Sequence, residues 1–427
     1  MIKNLTVIIT LIICVQGFAQ KADSSPYSAL GIGNEVHSKT VEEMSMGGVG
    51  TSGSINNQLS FSNPASYTSL KITRYTLSAE NRAFRFKDET SSDNSSNAYL
   101  SYLAMGIPLG DKAGFAFGLQ LNSTIGYTIT ENTFDANDEL VQAGLYEGDG
   151  GTSRVFLGFG YEVFKNFSLG LEGKYIFGKT EKTIISQSRD VRLATKYKLE
   201  GSINGFGLKA GAIYKKEIKP SLFVNIGASV ELENELDFNA NEYLYSVSIS
   251  GAESPRDTIL SLDSKGIYKT PLKTNLGLSI GNPLKWSVMV DYSFRDAVDI
   301  SGNLAGYNPK LEYEKSSKLS IGGYFIPKYN SISSYWDRIS YRAGVRFENT
   351  GIKVNGSGTG SEFTSITDYG ISFGLGLPVG KRYSKIDTSF EYGQMGTTSN
   401  GLTKETYFNF RVALAFGDKW FGRRQIN

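Results

Sequence analysis

The chain alternates. In its last segment Phe408, Phe410, Val412, Leu414 and Phe416 share one phase, while Tyr407, Asn409, Arg411, Ala413 and Ala415 share the other. Successive side chains of a strand point to opposite faces, so one face here is greasy and the other small or polar. The same pattern recurs over 115–121, 155–163, 222–230 and 339–347. Along the whole chain it predicts about 14 strands, near 72–87, 97–107, 113–130, 152–164, 167–181, 197–214, 221–237, 266–281, 286–297, 315–326, 338–349, 366–379, 385–395 and 405–417. From the second strand onward, short links at 108–112, 165–166, 215–220, 282–285 and 380–384 alternate with longer polar ones at 131–151, 182–196, 238–265, 299–314 and 351–365. One link on the short side, 327–337, is longer than its companions.

An even number of antiparallel strands joined alternately by short and long connections is the plan of an outer-membrane barrel. A soluble β-sandwich also alternates, but three features weigh against it. Many of the predicted strands exceed ten residues, enough to cross a bilayer at a tilt. Charges keep to the polar face, as they would in a lumen. Trp286, Trp336 and Trp420 fall at the same ends of strands, where an aromatic girdle belongs. The expected fold is therefore all-β, a 14-stranded antiparallel transmembrane barrel over 71–420. Closure has a physical cause, because hydrocarbon offers an open sheet edge no hydrogen-bond partners. Glycines in the inward phase (Gly158, Gly160, Gly170, Gly207, Gly211, Gly277, Gly344) leave room for a ligand path or for other backbone, or serve curvature.

The N-terminus narrows the compartment. Residues 1–19 carry Lys3, an apolar run over 5–15 and a small-x-small site at Gly17-Phe18-Ala19, which reads as a cleaved secretory signal. Cleavage removes Cys14, the single cysteine, so the mature chain has no disulfide to rely on. Composition excludes more than it assigns. With 44 Lys and Arg against 42 Asp and Glu, the formal charge of +2 offers no basic excess for nucleic acid. One histidine removes most imidazole chemistry, and His37 has a solvated or packed role rather than a catalytic or metal-binding one. No nucleophile–base pair or paired-carboxylate arrangement stands out. The expectation is a protein that is not an enzyme and has neither metal nor cofactor. Gly48 to Gly53 matches a dinucleotide fingerprint, but no βαβ unit surrounds it.

Residues 31–70 do not alternate. They contain Met46-Gly47-Gly48-Val49-Gly50 and, just before the first strand, Asn63-Pro64-Ala65. Here the chain resembles outer-membrane hydrophobic-compound transporters of the FadL/TodX type, which carry an N-terminal hatch with these two motifs. The strand count agrees with that family, and Pro271-Leu272 entering a strand is similar too. The resemblance implies that residues 20–70 form an extension and a hatch inside the lumen, with Gly47, Gly48, Gly50, Asn63, Pro64 and Ala65 as hatch or gating residues. Pro64 fixes its own φ and biases Asn63 toward extended geometry, and the Asn63 side chain can brace a turn.

The inward phase offers a lumen charge network of Glu162, Glu172, Lys174, Lys209, Asp291, Arg342, Arg346, Glu391 and Arg411. Such mixed charges hold a plug in place, or orient a carboxylate headgroup through arginine. The acidic pair Glu42-Glu43 reads as solvated. The strand ending at Phe416 resembles the C-terminal signature read by outer-membrane assembly machinery, and a short basic periplasmic tail, 421–427, follows it. Two functions remain. One is the passive, hatch-gated diffusion of fatty-acid-like hydrophobic molecules across the bacterial outer membrane, as the resemblance implies. The other is a non-transporting accessory barrel in an outer-membrane secretion or protein-assembly complex, which strong lumen polarity would favour. Expected partners are outer-membrane lipid, the assembly machinery during insertion, and either hydrophobic small molecules or other complex subunits, with both termini periplasmic.

Overall fold

Alternation shapes the whole molecule. In a computed structural model, residues 25–29, 31–53, 58–89, 91–248, 254–302, 311–356, 362–380 and 383–418 are described. The expected signal at 1–19, Trp420 and the tail at 421–427 lie outside them. Fourteen antiparallel strands form the barrel. They are β1 (Thr73–Lys87), β2 (Ser92–Leu109), β3 (Ala113–Phe134), β4 (Leu140–Phe164), β5 (Phe167–Ser188) and β6 (Ala194–Lys219). β7 (Leu222–Glu231, continuing as Asn234–Ser248), β8 (Ser254–Thr270 and Lys273–Asn282), β9 (Trp286–Arg295 and Asp299–Gly302) and β10 (Leu311–Tyr313 and Ser316–Phe325) are each interrupted once. β11 (Ser340–Val354), β12 (Thr364–Val379), β13 (Ser384–Met395) and β14 (Lys404–Asp418) complete the ring. β14 pairs with β1 over its full length, from Lys404 opposite Lys87 to Asp418 opposite Thr73, so the sheet has no free edge.

The greasy phase faces outward. Leu157, Phe206, Ile226, Leu278, Phe373 and Phe408 are exposed, whereas their neighbours Phe156, Gly207, Gly227, Gly277, Ser372 and Tyr407 turn inward. A closed sheet with an apolar outer belt is an outer-membrane barrel. No described helix is long and apolar enough to cross a membrane.

The expected long loops are mostly strand. Where loops were expected at 131–151 and 182–196, β3 runs on to Phe134, β4 starts at Leu140, β5 reaches Ser188 and β6 starts at Ala194. The same holds at 238–265 and 351–365, whose described residues extend β7, β8, β11 and β12. β6 has 26 residues and β13 only 12. At ~3.3 Å per residue and a tilt of ~40°, β6 rises roughly 65 Å, well beyond the ~25 Å apolar band, while β13 hardly exceeds it. One side of the barrel therefore stands as a tall wall, β3 to β8. Beyond the bilayer both faces of a strand are wet, so the sequence loses its alternation there without losing its strand.

The interruptions in β7 to β10 fall in four consecutive strands, at 232–233, 271–272, 296–298 and 314–315. Pro271 has no N–H to give the ladder, which explains the break in β8.

Candidate functional site

The interior is occupied by the N-terminal segment, built outward from a four-residue helix, α1 (Val41–Met44). Thr40 caps it: Glu43 N–H donates to Thr40 Oγ1 at 3.2 Å, and Thr40 N–H donates to Glu43 Oε2 at 2.8 Å. The Ser60 and Ser62 hydroxyls both donate to Glu43 Oε1 at 2.6 Å, tying the return of the segment to its start. Apolar packing does the rest. Val41, Leu59, Phe61, Tyr67 and Leu70 cluster with Tyr102 and Phe156 of the wall, and Met46 and Val49 with Met289 and Tyr324. Burying each large side chain of this kind is worth ~1.5–3 kcal/mol.

Each expected hatch residue has a definite seat. Gly47 and Gly48 turn the chain with positive φ, and Gly47 N–H donates to Ser372 Oγ at 2.8 Å. Gly50 and Thr51 N–H both donate to Asp291 Oδ2 at 2.9 Å. Asn63 Oδ1 accepts from Ala65 N–H at 3.0 Å, while Asn63 Nδ2 donates to the carbonyls of Thr51 (2.9 Å), Ala212 (3.1 Å) and Ala228 (3.1 Å). Pro64 and Ala65, both buried, open the 3₁₀ turn that this asparagine starts. Of the seven inward glycines, six abut the segment or its anchor, and Gly207 faces Lys174 instead. A Cβ on Gly211 would stand 2.0 Å from Asn63 Oδ1, and one on Gly344 2.1 Å from the Met46 carbonyl carbon.

The inward charges make contacts in three groups. Arg346 meets Glu391 (2.7 Å), Asp368 (2.8 Å) and Glu348 (3.2 Å); Arg411 meets Glu391 (2.6 Å) and Glu80 (2.9 Å). Arg342 and Asp387 form a pair at 2.7 Å, both side chains wholly inaccessible. Lys174 meets Glu231 at 2.6 Å, Lys209 donates to the Phe61 carbonyl at 2.8 Å, and Glu172 accepts from the Tyr67 hydroxyl at 2.7 Å. Glu162 stands apart, its carboxylate accepting from Asn166 N–H in an exposed turn. It closes a hairpin at the rim, where the inward phase runs out of lumen.

His37, Glu348 and Asp368 present ligand atoms within 4.8 Å of one another. These donors are already engaged, since Arg346 and Lys318 neutralise the carboxylates and Lys318 Nζ lies 3.2 Å from His37 Nε2. Burial, with Lys318 and Arg346 nearby, holds the imidazole pKa well below its ordinary value, so His37 is a neutral member of an ion-pair node. Beside this node lies a cavity of about 260 Å³, lined by charged and polar side chains and by apolar ones such as Phe61, Ile176 and Leu236, with Leu232 and Pro271 at the breaks in β7 and β8.

The BamG family profile matches residues 1–427. The chain belongs to the BamG family. Among solved structures, it is similar to the toluene transporter TodX of Pseudomonas putida, with a TM-score of 0.61 and 15% identity over 91% of this chain and 99% of that one. It is also similar to the toluene transporter TbuX of Ralstonia pickettii (0.60, 15%, 88% and 97%) and to a FadL homologue of Pseudomonas aeruginosa (0.58, 11%, 90% and 98%). The FadL/TodX-type barrel expected from the sequence is thus the fold of this BamG family member. No curated protein matches it in sequence.

Sequence reading missed several of this family member's interior residues. Glu42 and Glu43 are buried rather than solvated, at 6% and 5% exposure. The Thr40-x-x-Glu43 spacing of a capping box was the available signal. Asp387 and Asp368 escaped because their partners lie on other strands. Arg342 on β11 reaches Asp387 on β13 across β12, and Gly376 makes the crossing possible: a Cβ there would stand 2.7 Å from the guanidinium and 2.8 Å from the carboxylate.

Two predictions follow from the seat of this segment. Asn63→Ala leaves buried carbonyls and an amide without partners and should cost about 2–3 kcal/mol, with faster hydrogen exchange confined to residues near 51 and 65. Unchanged exchange there would remove Asn63 from the anchoring. The second concerns Glu42, whose carboxyl is pushed up to about 8 by burial first and by the neighbouring Asp387 second, against the pull of Arg342. A carboxyl protonated in the fold but ionised in the unfolded chain stabilises most below its unfolded pKa, and that stability is lost as pH rises from ~4.5 to about 8. The difference in melting temperature between wild type and Glu42→Gln should therefore widen across this window and level off above it. A constant difference from pH 5 to 9 counts against the assignment.

Proposed function

We propose that this barrel is a closed accessory subunit of an outer-membrane protein-assembly complex, with residues 25–70 as a fixed plug. The observation that carries this reading is the polarity of the lumen. Ion-paired arginines and carboxylates fill it, and the plug backbone sits directly against inward glycines at Gly211 and Gly344. A conduit for hydrophobic molecules has to desolvate its cargo against its lining, and a charged lining opposes that. Membership of the BamG family points the same way, its name hinting at an assembly role. The tall wall of β3 to β8 offers a partner a rigid surface beyond the lipid. In this reading the short turns and both termini are periplasmic, the tall hairpins lie outside the cell, and the chain is not an enzyme.

A second reading keeps the hatch-gated, passive uptake of hydrophobic molecules. It is favoured by the fold shared with TodX and TbuX, which are toluene transporters, and by the breaks of β7 to β10 beside the cavity. Native mass spectrometry of the protein gently extracted from its own membrane separates the two. Stoichiometric co-purification with other envelope proteins is the expected result. A lone barrel carrying an apolar ligand would overturn the assembly reading in favour of uptake.

A further inference from the structure

Ten lysine and arginine side chains and six carboxylates line the partly open 260 Å³ cavity, and Glu391 behind the lining pairs with two of the ten, Arg346 and Arg411, which still leaves positive charge in excess. The excess is concentrated. Glu231 is shared by Lys174 at 2.6 Å and Lys209 at 3.9 Å, and Lys273 and Arg154 also act on it electrostatically. Among the described residues, Arg154 is 4% exposed and holds only the neutral Gln120 carbonyl oxygen, at 2.8 and 2.6 Å. Lys39 reaches into the same cavity from the N-terminal segment, its ammonium donating to the Ser62 hydroxyl at 2.6 Å with no carboxylate at ion-pair distance. Buried charge that lacks a counter-charge is costly, because the interior screens far less than water. Elsewhere in the lumen Arg342, Arg346 and Arg411 each have a carboxylate at 2.9 Å or closer. Arg154, buried, and Lys39, half-buried, have their carboxylates farther off on this one cavity, Glu231 acting on Arg154 and Glu43 and Asp291 on Lys39.

We propose that this cavity is a binding site for a small, multiply charged oxyanion of the phosphate or polycarboxylate class, held by Arg154, Lys39 and Lys209. Arginine supplies planar paired donors and lysine point charges, the combination suited to oxyanions. The volume is many times the ~10–15 Å³ that one water requires, so an anion enters with part of its hydration shell. Lys39 belongs to the N-terminal segment and Arg154 and Lys209 to the wall, so the anion would bridge the two and strengthen the seat of the segment.

The test is calorimetric titration of the whole mature protein in a non-ionic detergent, at fixed ionic strength in sodium chloride, with inorganic phosphate, pyrophosphate and citrate as probes. One saturable site for at least one of them is expected, weakened tenfold or more by Arg154→Gln and by Lys39→Gln but unchanged by Lys112→Gln in an exposed turn. If Arg154→Gln fails to fold, Lys39→Gln on the non-barrel segment still decides the matter. Absence of saturable binding by all three probes, or binding indifferent to Lys39, overturns the site.

Discussion

Replacing Arg342 by methionine should destabilise the barrel by about 3–5 kcal/mol, the usual cost of orphaning a buried ion-pair partner. Asp387 loses its guanidinium at zero exposure, and Glu42 loses the cation that opposes its burial. Asp387→Asn should cost distinctly less, because Glu42 is at hand to ionise and take over as the partner of Arg342. The double replacement Arg342→Met with Asp387→Leu removes both charges and should recover most of the loss, since hydrophobic substitutes for a buried pair are often neutral or better. Guanidinium unfolding in micelles measures all three. Equal losses for the two single variants would remove Glu42 from the group. A double variant as weak as Arg342→Met would mean that the arginine acts through packing and not through charge.

That trio also marks the limit of what the sequence discloses. The phase of β3, β4, β7, β11 and β14 was readable, because lipid imposes one simple demand on the outer face and the chain meets it with Phe, Leu, Ile and Val. Strand number follows from the same demand. Strand length does not, since residues such as Lys182 to Ser188 stand in a sheet that no longer faces hydrocarbon on either side. The interior obeys a different logic. Arg342 and Asp387 are 45 positions apart, on strands that are not even neighbours, and meet only because β12 places glycine between them. A glycine in the inward phase announces that something comes close. What comes close, plug backbone at Gly344 and a side-chain pair at Gly376, depends on the register of three strands at once. Some of the inward charges, such as Arg342, Arg346 and Arg411, were therefore visible, while partners such as Asp387, Asp368 and Glu80 were not.

The lumen polarity that separates the two functional readings has the same origin. A channel for apolar cargo and a plugged scaffold can present an identical outer face, so the outward pattern is silent between them. The discriminating residues are those facing inward, such as Glu43, which a doublet of acids disguises as surface.

Gly344→Val should unseat the plug and leave the barrel standing. A Cβ at this position would lie 2.1 Å from the Met46 carbonyl carbon and 2.4 Å from the Gly47 nitrogen, and both are backbone atoms that no rotamer change can move aside. Valine suits a strand, so the wall accepts it and the segment has to give way. Displacement at Met46 pulls Gly47 from Ser372 and strains the paired donation of Gly50 and Thr51 to Asp291. With that seat lost, water and ions should pass where the proposed fixed plug closes the wild type, seen as a rise of tenfold or more in single-channel conductance in planar bilayers. Protease should also cut near residues 45–53. Gly173→Val is the control, because the nearest atom to a Cβ there is a Leu208 methyl at 3.9 Å on the lipid face. A Gly344→Val barrel as silent and as protease-resistant as wild type would mean that the wall yields instead, and that the segment is held by more than its fit to the inward glycines.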